Sequence, residues 1–205
     1  MKSSPKIEKA MELATTLHAG QFRKNGTTPY INHLLAVAEI LSQYTNDEDV
    51  IIAGLMHDTI EDVPGYTYDK LTSDCGKNVA DIVMGVTEEK FRGHKELPRE
   101  ERIKLFEEMI LRNVANTERA GKGSILVALA DKIHNLNSMI EGFKEEGENY
   151  FSKFNNPIEQ KLWFYRKVLE MSKRNISSPI LERFEKVLLE AEDSFKNIPN
   201  RFQAP

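Results

Sequence analysis

Four ionisable side chains crowd into six residues of the stretch GLMHDTIED, Gly54 to Asp62: His57, Asp58, Glu61 and Asp62. They follow directly on Val50-Ile51-Ile52-Ala53-Gly54-Leu55-Met56, an apolar run that reads as a core helix. Charge carried into a core is costly unless it is paired, hydrogen-bonded or bound to metal. On a continuous helix His57 and Glu61 share one face, as do Asp58 and Asp62, because positions i and i+4 lie one above the other. One pair is then suited to hold a metal, with the second a turn further on. The alternative for this stretch alone is a solvated acidic turn.

The rest of the chain supplies partners. His33 falls early in a second apolar stripe, and Asp131 sits inside SILVALADKIHN, where Val127, Ala128, Ala130 and Ile133 predict burial. His33, His57, Asp58 and Asp131 form a mixed nitrogen and oxygen set suited to a divalent ion such as manganese, zinc or iron. Imidazoles disfavour a purely magnesium site. Taken singly, His33 reads as a helix-start histidine and Asp131 as a hydrogen-bonded core acid. Their joint occurrence with His57-Asp58 favours metal.

The elements that must position these residues are helices. Ser4-Pro5 reads as an N-cap with proline at the first helical position, and Ile7, Ala10, Met11, Ala14 and Leu17 follow at helical spacing. His18 continues that stripe as a packing residue at the helix end. Asn25-Gly26 predicts a tight turn and allows a small hairpin near residues 22–30. A second helix is predicted from about Ile31 to Gln43, and a third from Asp47 through the central motif to Pro64-Gly65. Shorter helices are expected over Tyr68 to Ser73 and Lys77 to Val86, then a polar loop from Thr87 to Leu97. Pro98 opens a charged helix to about Ala115, and Ser124 to Ile140 reads as the helix of ALADKIHN. A loop rich in Gly, Glu and Asn precedes a helix begun at Asn156-Pro157, and Ser178-Pro179 begins the last. Strand signals are almost absent. The expectation is an all-α, single-domain bundle over residues 1–198, with a frayed tail at 199–205.

Composition bounds the function. The chain has 205 residues, 40% hydrophobic and 29% charged, and a net charge of −4, which suits one globular domain and gives no footprint for nonspecific nucleic-acid binding. The lone Cys75 excludes an intrachain disulfide and fits a reducing compartment. The N-terminal MKSSPKIEKAMEL lacks a signal-peptide core, and no apolar run approaches the roughly 20 residues that span a bilayer. A cytoplasmic protein with no membrane partner is expected.

The order H…HD…D resembles the HD-domain metal-dependent phosphohydrolases. HAGQFRKNGTTPYINH, GLMHDTIED and ALADKIHN together resemble the hydrolase domain of RelA/SpoT-type alarmone enzymes. The short length resembles the stand-alone small alarmone hydrolases, as do HKELPREER and FNNPIEQKLWFYR. The segment Val63-Pro64-Gly65-Tyr66 and the pair Cys75-Gly76 depart from the usual pattern without touching a proposed ligand.

The resemblance implies that His33, His57, Asp58 and Asp131 bind one divalent ion, usually manganese, and that Glu61 and Asp62 orient or deprotonate the attacking water. It implies nucleotide contacts for Arg23 and Lys24, a sugar contact for Asn135, a weaker candidate in Ser138, and pyrophosphate contacts for Arg99 and Arg102. His134 is expected beside the ligands rather than among them, and His94 has no assigned role. Trp163, Phe164 and Tyr165 are read as core and pocket wall. The implied reaction is removal of the 3′-pyrophosphate of ppGpp or pppGpp, giving GDP or GTP and pyrophosphate. Two rivals stay open: another HD phosphohydrolase activity, such as one on ppApp, and a non-catalytic helical module that binds alarmone. Oligomeric state cannot be read from the sequence.

Overall fold

The computed structural model describes residues 4–88, 98–154 and 157–198. Helices dominate: α1 Pro5–Leu17, α2 Ile31–Ser42, α3 Glu48–Met56, α4 Thr59–Asp62, α5 Tyr68–Cys75, α6 Lys77–Val86, α7 Arg99–Ala120, α8 Lys122–Glu146, α9 Ile158–Asn175 and α10 Ile180–Phe195, with a 3-10 helix over Gly147–Lys153 between α8 and α9. The all-α expectation holds. The hairpin reduces to one isolated antiparallel bridge, Phe22 with Pro29. Proline lacks the N–H that would extend a ladder there. The tail at 199–205, most of the loop from Thr87 to Leu97 (with His94) and Asn156 lie outside the described residues.

Local chemistry sets the helix ends. Ser4 caps α1 by accepting from the Ile7 amide, and Asp47 caps α3 by accepting from Asp49; caps of this kind are worth about 1 kcal/mol each. Gly121, at φ 93°, turns the chain between α7 and α8, a conformation that favours glycine. Both flanking helices run further than the sequence pattern predicts, to Ala120 and Glu146, because α8 is packed along its length and tertiary contact overrides the weak propensity of the terminal turns.

Every residue of α3 from Val50 to Met56 is buried, and so is α8 from Ser124 to Ile133. These two helices form the centre. α3 packs on α1, α2, α6 and α8, while α8 packs on α2, α3, α6, α7, α9 and α10. Close approach depends on glycine: a Cβ at Gly54 would stand 2.4 Å from Leu41 Cδ1, and one at Gly85 would stand 2.3 Å from Ala120 Cβ and Ser124 Oγ. At that contact Ser124 Oγ donates to the Ile82 carbonyl at 2.9 Å, and Thr117 Oγ1 to the Gly85 carbonyl at 2.8 Å. Among the described residues no helix is long and apolar enough to cross a membrane.

The expected continuous helix through the central motif is corrected at its most informative point. α3 stops at Met56, and α4 begins at Thr59. Asp58, with ψ at −4°, takes the chain out of helical register. The cause is side-chain competition for backbone carbonyls: His57 Nδ1 bonds the Gly54 carbonyl at 2.9 Å, and Thr59 Oγ1 donates to the Met56 carbonyl at 2.6 Å. His57 and Glu61 therefore lie on two helices, α3's end and α4, rather than on one continuous helix. Helical bonding resumes only with Asp62 N to the Asp58 carbonyl.

Candidate metal centre

Four side chains from three helical regions converge at this break. His33 comes from the first turn of α2, His57 and Asp58 from the end of α3, and Asp131 from the middle of α8. His33 Nε2 lies 3.2 Å from Asp131 Oδ1 and 3.6 Å from Asp58 Oδ2. His57 Nε2 lies 3.2 Å from Asp58 Oδ2 and 3.6 Å from Asp131 Oδ1. Neighbouring ligands on metal–donor bonds near 2.1 Å stand about 3.0–3.4 Å apart, so the spacing suits one small divalent ion. The ligand atoms of His33, His57 and Asp58 all lie within 4.8 Å of one another.

The hydrogen bonds around the imidazoles provide the test of fit. The Gly54 carbonyl can only accept, so His57 Nδ1 is the donor of that bond and Nε2 is the nitrogen turned to the site. That Nε2 is buried and makes no hydrogen bond. An orphaned nitrogen between two carboxylates is what a metal ligand looks like without its ion. His33 is anchored similarly, its Nδ1 2.7 Å from Nδ1 of His134. Burial, and then the neighbouring His33, push His134 down to about 4, so the ring is neutral and able to accept the His33 proton. His33 Nε2 is thereby left to the site. The donor set fits a divalent metal.

Charge in the cluster is balanced. Burial alone would raise Asp58 and Asp131, but His57 beside the first and Lys132 beside the second outweigh it and hold both carboxyls below the ordinary range. Burial lowers His33, whereas the two aspartates overcome burial at His57 and raise it.

Around the cluster lies a polar layer that the sequence reading did not assign. The Tyr30 hydroxyl donates to Asp58 Oδ2 at 2.7 Å and stands 3.4 Å from Asp62 Oδ2. Behind Tyr30 the buried His18 ring stacks at 5.2 Å, and its Nδ1 bonds Gln21 Oε1 at 2.7 Å. Gln21 Nε2 in turn donates to the Asp62 carbonyl at 3.0 Å. His18 packs as predicted, and what it packs is the tyrosine that spans Asp58 and Asp62.

Glu61 and Asp62 lie on α4, one short turn beyond the break. Burial pushes Glu61 up to about 8, opposed by the Glu88 amide that donates to Glu61 Oε1 at 2.7 Å. Arg23 donates from Nη2 to Asn135 Oδ1 at 2.7 Å, and Asn135 Nδ2 donates to Asp131 Oδ1 at 2.5 Å. Arg23 and Asn135 are thus brought to the cluster and to each other. Lys24 Nζ sits 4.0 Å from the centre of the Phe154 ring, and Lys161 Nζ stands 5.3 Å from that centre. Burial, then the charge of Lys24, lower Lys161 to about 8. Ser138 is half-buried on α8, one turn past Asn135. Arg102 lies in the first turn of α7, and no described hydrogen bond joins it to the cluster; Arg99 begins that helix, and its side chain is outside the described residues.

Tyr30, Lys132, Glu88 and Lys161 escaped the sequence reading. Tyr30 precedes a helix and Lys132 adjoins a ligand, and only the fold makes them neighbours of the site. His134 carried a signal in its position beside Asn135.

An all-α scaffold that gathers two imidazoles and two carboxylates from separate helical regions within 3.2–3.6 Å of one another defines a class of helical metal-site protein. The chain belongs to the HD domain family, whose profile matches residues 10–158. Curated relatives match about two thirds of the chain. The guanosine-3′,5′-bis(diphosphate) 3′-pyrophosphohydrolase of Haemophilus influenzae is 38% identical over 130 residues, covering 62% of this chain and 18% of its own length. The bifunctional (p)ppGpp synthase/hydrolase SpoT of Escherichia coli K12 is 37% identical over 137 residues (65% and 18%), and a GTP pyrophosphokinase of Myxococcus xanthus is 42% identical over 135 (65% and 17%). The chain therefore spans less than a fifth of the length of these relatives. Among solved structures, a metazoan SpoT orthologue described as hydrolysing ppGpp superposes with a TM-score of 0.65 at 24% identity, over 93% of this chain and 97% of that one, which shows a shared fold. A Listeria monocytogenes EGD-e protein superposes with a TM-score of 0.62 at 26% identity, over 80% and 99%.

Proposed function

We propose that this chain is a metal-dependent 3′-pyrophosphohydrolase of guanosine alarmones, converting ppGpp or pppGpp and water to GDP or GTP and pyrophosphate. The observation that carries the reading is the orphaned His57 Nε2 facing Asp58 and Asp131, beside an acid pair and a basic rim, in a chain similar to proteins named for that hydrolysis. His33, His57, Asp58 and Asp131 would hold the ion, manganese by the family resemblance. When bound, such an ion supplies Lewis acidity, which lowers the pKa of water and draws charge from a phosphoryl oxygen.

The chain's own residues supply the rest. Glu61, raised to about 8 by burial, has the basicity of a general base that works near neutral pH. Its carboxylate accepts the proton of the attacking water, and Asp62 orients that water. Tyr30 fixes Asp58 and Asp62 relative to each other through one hydroxyl. A bond forms from the water oxygen to the phosphorus on the 3′ oxygen; the phosphorus–oxygen bond to the sugar breaks, the 3′ oxygen takes up a proton from solvent, and Glu61 returns the proton it accepted to solvent. Arg23, with a planar guanidinium 5.5 Å from the Tyr30 ring, offers a stacking surface for the base. Lys24 and Lys161 both stand by the Phe154 ring and would hold phosphate. Asn135 would exchange its bond with Arg23 for one with the sugar. Ser138, Arg99 and Arg102 remain outer candidates for nucleotide contact.

The test is turnover of ppGpp and ppApp side by side by chelated protein resupplied with manganese, with products identified. GDP and pyrophosphate formed only with metal is the expected result, and the rate ratio measures base preference. Folded, metal-loaded protein that turns over neither compound would overturn the proposal.

A further inference from the structure

Lys132 is the buried charged group that the reaction as drawn does not use. It directly follows Asp131 on α8 and is only 9% exposed. Adjacent residues on a helix point to different faces, so its side chain must curl back to reach the aspartate. It does: Nζ donates to Asp131 Oδ2 at 2.9 Å and to Glu88 Oε1 at 2.6 Å, and stands 4.9 Å from the centre of the Phe164 ring.

These contacts divide the Asp131 carboxylate between two tasks. Oδ2 is taken by the ammonium, and Oδ1 alone faces the imidazole nitrogens, steadied by Asn135. The other arm of the lysine reaches Glu88 just beyond α6, and the Glu88 main-chain amide donates to Glu61 Oε1 at 2.7 Å. A linked path thus runs from a proposed metal ligand to the proposed proton acceptor: Asp131 to Lys132, Lys132 to the Glu88 carboxylate, and, through the frame of Glu88, its main-chain amide to Glu61. A lysine that served only to fill space would need one partner. Burying it between two carboxylates, each tied to a different part of the site, fixes their relative positions.

We propose that Lys132 is a positioning residue, which turns Asp131 Oδ1 to the metal and, through Glu88, sets the place of Glu61. The inference rests on the proposed metal site and hydrolysis. It makes two separable claims, one on metal affinity and one on the rate.

The test uses the full chain with Lys132→Met, Lys132→Arg and Glu88→Gln. Manganese binding to chelated protein is measured by calorimetry without nucleotide, and kcat and KM for ppGpp are measured separately. Lys132→Met is expected to weaken manganese binding by about tenfold or more, the usual effect of removing a partner of a metal ligand. Its kcat is expected to fall on the order of 100-fold with KM nearly unchanged, as for a misplaced reacting group. Lys132→Arg should recover part of both losses. Glu88→Gln keeps the amide but loses the ion pair, so it should lower kcat while leaving manganese affinity within about threefold, smaller than the effect on a direct partner of the ligand.

A purely structural lysine would shift the melting temperature without this split between affinity and kcat. Folded Lys132→Met that binds manganese as the wild type does would overturn the inference. If Lys132→Met does not fold, Glu88→Gln with wild-type kcat overturns the Glu61 arm, and Lys132→Arg with wild-type affinity and kcat supports the ammonium bridge. If wild-type protein leaves ppGpp intact, the hydrolase reading falls, and calorimetry alone decides the Asp131 arm.

Discussion

α3 and α8 each bring a carboxylate to the same point by opposite means. α3 ends there. Its last carbonyls are taken by the side chains of His57 and Thr59, the backbone bends at Asp58, and the charge sits where the helix has stopped. α8 runs straight through. Asp131 lies mid-helix with regular backbone, and its charge is met by Lys132 and Asn135. A broken helix places a charge with its backbone, and a continuous one does so with neighbouring side chains. Damage to α3 should therefore act through geometry, and damage to α8 through charge balance.

The largest test removes the charge from α8. Asp131→Ala should cut turnover at least on the order of 1,000-fold through loss of the ion and its charge stabilisation. In chelated protein it should also cost about 3–5 kcal/mol of stability, because Lys132 loses one of its two carboxylates. His57→Ala should match the loss of turnover yet cost chelated protein less, since it leaves the buried Lys132 ammonium both of its carboxylates. Chemical denaturation and metal analysis compare them, and equal stability losses would break the contrast.

Next come Glu61→Gln and Asp62→Asn. Each should retain the metal and lower turnover roughly 100- to 10,000-fold, the range for lost general acid–base help.

A pair of glycine substitutions sharpens the geometric side. Gly54→Ala drives a Cβ toward Leu41 Cδ1, and Gly142→Ala drives one to within 2.2 Å of the Tyr150 ring. Each should cost about 1–3 kcal/mol by overpacking. Only Gly54→Ala, whose carbonyl holds His57, should also weaken manganese binding when calorimetry is run on both.

The basic rim predicts a pH effect. Lys161 has a folded-state pKa near 8, below its ordinary value, so its charge is present below pH 8 and lost above it. Phosphate affinity should fall as pH rises through 8, with KM up to about tenfold higher at pH 9 than at pH 7. Lys161→Arg should flatten that rise, whereas an unchanged profile would remove Lys161 from the binding surface.

The smallest effect lies far from the site. Burial, and then the charge of Asp74, push the Cys75 thiol up to about 11. Alkylation at pH 8 should be about tenfold slower than for a free thiol. Wild-type reactivity of a free thiol would show that α5 opens readily.

The helices were legible because their stripes are long and their caps unambiguous. α6 falls on Lys77–Val86 as the periodicity predicts, and Ser4 and Asp47 cap where their types suggest. The ligand-type residues were legible too, because two histidines and an aspartate amid apolar runs leave few alternatives. What stayed hidden depends on contacts distant in sequence or on competition for backbone groups. The break at His57-Asp58 requires two side chains to outbid the helix for its own carbonyls, which no periodicity records. Tyr30 reaches Asp58 across 28 positions and Lys132 reaches Glu88 across 44. The 3-10 helix over Gly147–Lys153 occupies a Gly- and Glu-rich stretch with no repeat to announce it, and its Phe151 is held by tertiary contact.

That aromatic contact reaches beyond local structure. Phe151 packs against Phe195 of α10 at 5.0 Å and Phe143 of α8 at 5.6 Å, and Phe195 closes the triangle to Phe143 at 5.4 Å. The family profile stops at residue 158, yet α10 lies along α8, the helix that carries Asp131. The C-terminal helix is thus a splint, laid along the rod on which Asp131 is mounted.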